Sequence, residues 1–208
     1  MTIVTDMGSH WDNIYRQTAP EQVSWYRPHL DRSLSLIQSA APDRAAAIID
    51  VGGGESTMVD DLLALGYRNL TVLDISQTAL ALTKQRLGEA AGRVQWICAD
   101  VTAPPLATDS FDVWHDRAVF HFLTSEEQRL AYVHAVESTV KPRGHVIVST
   151  FGPEGPDKCS GLPVMRYDAE ELHEEFGTRF RLIESSREMH ETPFGTIQQF
   201  LYCYCRLI

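Results

Sequence analysis

Six residues in the first half of the chain could together hold an adenosine-bearing ligand: Asp50, Gly52, Gly53, Gly54, Asp74 and Asp100. Ile48-Ile49-Asp50-Val51 is an apolar, strand-like run that passes through three glycines into a helical pattern. Glycines at such a turn accept positive φ and let a ligand approach the backbone, while amides opening the next helix point toward it. Asp74 closes the next strand, about 20 residues on, where a carboxylate can take hydrogen bonds from both ribose hydroxyls. The alternative for Asp74 is a surface acid capping the helix after Ser76. Asp100 follows a third strand as Ala99-Asp100-Val101, placed to accept the exocyclic amine of adenine or, alternatively, to cap the turn before Pro104.

The elements that must position these residues alternate along the chain. Strands are expected over 46–51, 70–74, 94–98, 111–115 and 144–151. Between them Met58, Val59, Leu62, Leu63 and Leu65, then Leu80, Leu82 and Leu87, then residues 125–140 recur at helical spacing. Strands joined by helices imply a parallel sheet covered on both faces. The last third breaks the rhythm. A short helix over 169–176 precedes strands over 180–186 and 197–206, joined by Thr192-Pro193-Phe194-Gly195, which pair most easily as an antiparallel hairpin. Ahead of the alternation, Met7, Trp11, Ile14, Tyr15 and Thr18, then Leu30, Leu34 and Ile37, suggest helices forming a cap over residues 1–44. The expected fold is thus one domain, 1–208, in the α/β class, with a Rossmann-like core over 45–208.

A dinucleotide fingerprint wants a third glycine where Thr57 stands, so that the helix can close on a pyrophosphate. S-adenosylmethionine has no pyrophosphate and needs no such glycine. Asp50-Val51-Gly52-Gly53-Gly54, Asp74, Asp100 and Phe111-Asp112 resemble the successive motifs of class I S-adenosylmethionine-dependent methyltransferases, over about residues 46 to 206. Gly53 stands where many members have cysteine or serine, and Glu55-Ser56 where many have threonine-glycine. The resemblance implies a seven-stranded sheet, mostly parallel, ending in the antiparallel hairpin. It also implies that Gly52, Gly53 and Gly54 lie against the methionine part and ribose, that Asp74 holds the ribose, and that Asp100 meets the adenine between Ile75 and Val101. Asp50, Tyr26 and His115 complete the expected cofactor contacts.

Methyl transfer is an in-line displacement, for which an enzyme supplies alignment and a dry site more than an acid or nucleophile of its own. Trp114-His115-Asp116-Arg117 resembles the Trp-Asp-Arg-Gly segment of thiopurine and related thiol S-methyltransferases, with His115 interposed and Ala118 for glycine. That likeness implies an arginine facing the acceptor, so Arg117, Asp116 and His115 are the expected catalytic residues. A structural Asp116 to Arg117 ion pair is the alternative. His115 and His121 are candidates for a general base, since imidazole titrates near neutrality. Trp11 and Trp25-Tyr26 in the cap, and the long connection 152–167 with Cys159, Arg166 and Tyr167, are candidate lids.

Composition narrows the partners. The formal net charge is −10 with Lys and Arg scattered, which argues against a nucleic-acid acceptor. The 4 cysteines lack C-x-x-C spacing and read as reduced thiols, with Cys203 and Cys205 on one face of the last strand. No apolar run reaches a membrane span and no signal peptide is evident, so a cytoplasmic protein without membrane attachment is expected. No metal is expected, because His115, His121 and His173 form no recognisable ligand set. The expected activity is methyl transfer from S-adenosylmethionine to a small-molecule nucleophile, with a thiol or similar soft acceptor favoured. Methylation of protein lysine is the nearest alternative, and a non-catalytic cofactor-binding protein is the alternative of another kind.

Overall fold

A computed structural model describes residues 7–208; the first six residues of the expected cap lie outside the described residues. Five strands follow the expected alternation: β1 (Ala47–Val51), β2 (Asn69–Asp74), β3 (Val94–Cys98), β4 (Phe111–Arg117) and β5 (Val140–Phe151). Helices α3 (Met58–Ala64), α4 (Gln77–Leu87) and α5 (Glu126–Thr139) connect them, after α1 (Met7–Gln17) and α2 (Asp31–Ala40) of the cap. A two-strand turn, β6 (Lys158–Cys159) with β7 (Leu162–Pro163), and α6 (Ala169–Phe176) lead to β8 (Phe180–Glu191) and β9 (Ile197–Leu207).

The seven-stranded sheet has the order β3-β2-β1-β4-β5-β9-β8. Its first five strands are parallel, while β9 pairs antiparallel with both β5 and β8. This is the Rossmann-like methyltransferase arrangement with a reversed terminal hairpin. The strand order reverses between β1 and β4, which opens a crevice beyond their carboxyl ends.

Strand alternation divides the core. Ile48, Val113, Ile147 and Tyr202 face α2 and α3, whereas Ile49, Trp114, Val146, Val148 and Cys203 face α5 and α6. Helix starts are fixed by local chemistry. Ser76 accepts the Ala79 amide at α4, and Ser125 with Gln128 forms a capping box at α5.

Three expected boundaries shift by two residues or more, the first being β5, which begins at Val140 rather than Gly144. β4 continues two residues beyond His115, so Asp116 and Arg117 are strand residues. β8 runs on to Glu191, where the turn the sequence anticipated begins.

Candidate functional site

At the crevice, β1 runs through Val51 into Gly52, whose φ of +64° only glycine adopts without strain. The Asp50 carboxylate is buried beneath this turn. Its Oδ1 lies 2.7 Å from His115 Nδ1, while its Oδ2 is buried without a partner. A Cβ on Gly53 would stand 2.7 Å from that Oδ2, and one on Gly54 would stand 2.9 Å from both Asp74 Oδ2 and the Tyr15 hydroxyl. The glycines therefore leave a cradle that side chains would fill.

Two cavities meet there. The larger, about 610 Å³, is bordered by Asp74, Ile75, Asp100 and Val101 and by Trp11, Trp25, Phe122 and Cys159. The smaller, about 60 Å³, is bordered by Tyr26, Arg27, Asp50, Gly53 and His115. Tyr15, Trp25, Val51, Gly52 and Arg117 border both. Of the expected cofactor residues, only Gly54 lies outside both linings, and it sits directly under Tyr15 and Asp74.

Asp74 Oδ1 accepts the Ser76 amide at 2.8 Å. Burial, opposed by hydrogen bonds from the Ser76 and Gly54 amides, pushes its carboxyl up to about 7. Asp100 is exposed, with Oδ1 accepting the Thr102 amide and hydroxyl at 2.8 and 2.7 Å. Its turn-capping alternative is thus present in the same residue that borders the cavity. An unpartnered buried carboxylate oxygen, a second acid on the neighbouring strand and a glycine cradle between them fit the amino group and ribose of an adenosyl amino acid. Asp50 would hold the first and Asp74 the second.

Successive residues of β4 part company. His115 and Arg117 face the cap, while Trp114 and Asp116 face α5. Asp116 accepts the Val119 and Phe120 amides at 2.8 and 3.1 Å and the Tyr132 hydroxyl at 2.7 Å. With both oxygens so taken, on the far side of the sheet from Arg117, it holds the turn after β4. Asp116 thus borders neither cavity and forms no ion pair with Arg117, unlike the arrangement expected from the sequence. Burial raises its carboxyl to about 6.

Arg117 lies over the Phe200 ring, 4.1 Å from its centroid, and donates to the Trp25 carbonyl at 3.2 Å. Its Nε and second terminal nitrogen are buried without a well-aligned hydrogen bond, close to the Tyr202 hydroxyl and bordering both cavities. His115 is fully engaged, with Asp50 on Nδ1 and the Ser33 hydroxyl 2.9 Å from Nε2. His121 is enclosed beside Phe151 and Phe122. Burial, followed by the Arg117 charge, lowers its pKa to about 3, so it is a neutral core imidazole.

The cap contributes an aromatic wall. Trp11 packs against Tyr15, Trp25 and Phe122 with ring centroids 6.1, 5.8 and 5.2 Å apart. From the second lid, Cys159, Leu162 and Pro163 reach the larger cavity. Arg166 instead donates to the Pro153 and Gly155 carbonyls, and Tyr167 is buried on the α6 side. Sequence reasoning missed Ser33. A serine between Leu30, Leu34 and Ile37 on an otherwise apolar helix face was its available signal. Among the described residues no group of three or more His, Cys, Asp or Glu could hold a metal ion. Nor is any of their helices long and apolar enough to cross a membrane.

The fold is that of the class I methyltransferases, and the glycine turn with its two acids fits S-adenosylmethionine. Residues 48–144 match the family model described as a methyltransferase domain. Over 155 residues the chain is 25% identical to EEF1A lysine methyltransferase 2 of Danio rerio, covering 68% of this chain and 66% of that protein. It is 27% identical to the eEF1A lysine and N-terminal methyltransferase of Danio rerio over 57% of this chain and 17% of the relative. The chain therefore spans less than two thirds of these relatives' lengths. A malonyl-[acyl-carrier protein] O-methyltransferase of Anoxybacillus flavithermus is 32% identical over 50% of this chain and 39% of its own. Among solved structures, the Burkholderia thailandensis 1,6-didemethyltoxoflavin-N1-methyltransferase, with bound S-adenosylhomocysteine, superposes with a TM-score of 0.67. It is 20% identical and covers 97% of this chain and 84% of that one.

Proposed function

We propose that the protein transfers a methyl group from S-adenosylmethionine to a lysine amine of a protein acceptor. The observation that carries this reading is the likeness to EEF1A lysine methyltransferase 2 across 68% of the chain. The cavity supports it. Trp11, Tyr15, Trp25 and Phe122 form walls suited to the aliphatic stem of a lysine. The net charge of −10 suits a basic partner.

Bound S-adenosylmethionine supplies an electrophilic methyl group, and the chain supplies position. Asp50 and Asp74 hold the amino and ribose ends, and the cap and β6–β7 exclude water. A lysine amine attacks only when neutral, and a fixed guanidinium nearby disfavours an ammonium. Arg117 stands where it can exert that effect.

A small anionic acceptor, such as a thiolate, is the second reading, favoured by the buried Arg117 nitrogens that lack a well-aligned hydrogen bond. Incubating the protein with methyl-tritiated S-adenosylmethionine, a cell lysate and a pool of small thiols separates the two. Label is expected in protein and, after acid hydrolysis, in methyl-lysine. Label confined to small thioethers would overturn the lysine reading.

A further inference from the structure

Asp50 heads a line of hydrogen bonds that leaves the smaller cavity and returns to it. From Asp50 on β1 the line passes to His115 on β4 at 2.7 Å and to Ser33 on α2 at 2.9 Å. Ser33 Oγ meets the Tyr202 hydroxyl of β9 at 3.1 Å, and Tyr202 meets Glu188 Oε2 of β8 at 3.2 Å. The other oxygen of Glu188 accepts from Arg27 of the cap segment. Arg27, like Asp50, borders the smaller cavity.

Ser33, His115 and Tyr202 are at most 1% exposed. A buried polar line of this length carries a desolvation cost that apolar packing would avoid, and it stays favourable only while each member keeps its partner. Sheet pairing brings Asp50 beside His115 and Tyr202 near Glu188, but the links through Ser33 of α2 and Arg27 tie these strands to the cap and are not set by strand pairing. The Arg117 guanidinium is also close enough to Tyr202 to oppose the rise that burial gives its phenol.

We propose that Ser33, Tyr202 and Glu188 are positioning residues for the cofactor's amino acid end. A carboxylate on a free side chain rotates, and His115 holds Asp50 so that its unpartnered Oδ2 stays aimed at the glycine turn. Ser33 fixes the imidazole. Tyr202 fixes the Ser33 hydroxyl, and Glu188 ties that pair to the cap through Arg27. The proposal concerns cofactor binding alone and is independent of the acceptor.

Calorimetric binding of two ligands to Ser33→Ala, Tyr202→Phe and the double variant tests it. S-adenosylhomocysteine carries the amino acid, and 5′-methylthioadenosine keeps the adenosine and thioether without it. Each single change should weaken S-adenosylhomocysteine by about fivefold or more, and the double change by no more than the worse single one. Methylthioadenosine should stay within about twofold of the parent, and Ser33→Thr should restore tight binding. Unchanged S-adenosylhomocysteine affinity in the folded variants would overturn the proposal. So would multiplying effects, or equal weakening of both ligands, which marks general loosening of the fold. Should Ser33→Ala fail to fold, Glu188→Gln interrupts the same line from the edge strand and is held to the same outcomes.

Discussion

At the level of single residues, the acid with the sharpest consequence is Asp74. Burial raises its carboxyl to about 7, against 3.8 ordinarily, so the folded, ligand-free protein binds this proton more tightly than the unfolded chain. Its contribution to stability is present below the unfolded value and is lost as pH rises through about 7. Accepting two ribose hydroxyls requires the ionised form, so S-adenosylhomocysteine affinity should rise with pH and level off above about 7. Asp74→Asn removes the buried charge and one full acceptor. Calorimetry should show the ligand-free variant gaining more in Tm at pH 8 than at pH 5, while S-adenosylhomocysteine binding falls by about tenfold or more. Parent-like affinity would contradict the ribose assignment. Arg117→Ala should act differently, slowing methyl transfer by about tenfold with little change in cofactor affinity, as measured by single-turnover kinetics.

Elements decide which of these residues meet. The sequence ended β4 at His115, which left Asp116 and Arg117 as adjacent loop residues free to pair. Two more strand residues send them to opposite faces, and the period of two then assigns Arg117 to the cavity and Asp116 to α5. The parallel sheet, the helices and the closing hairpin were legible because apolar periodicity and glycine punctuation are local. The line from Asp50 to Arg27 was not, since Ser33 and Tyr202 lie 169 residues apart and no local pattern joins them. Helix α1 shows the same dependence on distant partners. It has no fully buried residue, yet Asp12 accepts from the Ser76 hydroxyl at 2.6 Å and the Thr78 amide at 2.9 Å at the start of α4. Asp12→Ala should therefore cost about 1 kcal/mol of stability, as a lost helix cap does. It should also expose α1 to limited proteolysis and weaken S-adenosylhomocysteine, because Tyr15 on the same helix covers Gly54. Proteolysis at parent rates would show that α1 is held by other contacts.

For the molecule as a whole, the glycine turn and the aromatic residues Trp11, Trp25 and Phe122 border one cavity, so the proposed cofactor and acceptor would meet in a shared space. An acidic chain of net charge −10 attracts a basic protein over roughly the Debye length, about 10 Å at 0.1 M salt and 3 Å at 1 M. S-adenosylhomocysteine carries no net charge at neutral pH and meets buried partners that salt screens weakly. The two binding steps should therefore respond differently to ionic strength. With a basic, lysine-bearing protein as acceptor, KM should rise about threefold or more between 0.05 and 0.5 M salt, whereas the Kd for S-adenosylhomocysteine changes by less than about twofold. A small thiol would show neither this dependence nor the gap between the two ligands, because its contacts would lie within the enclosed cavity beside Arg117. Parallel salt responses would place the acceptor's recognition inside that cavity and remove the surface charge from the account of specificity.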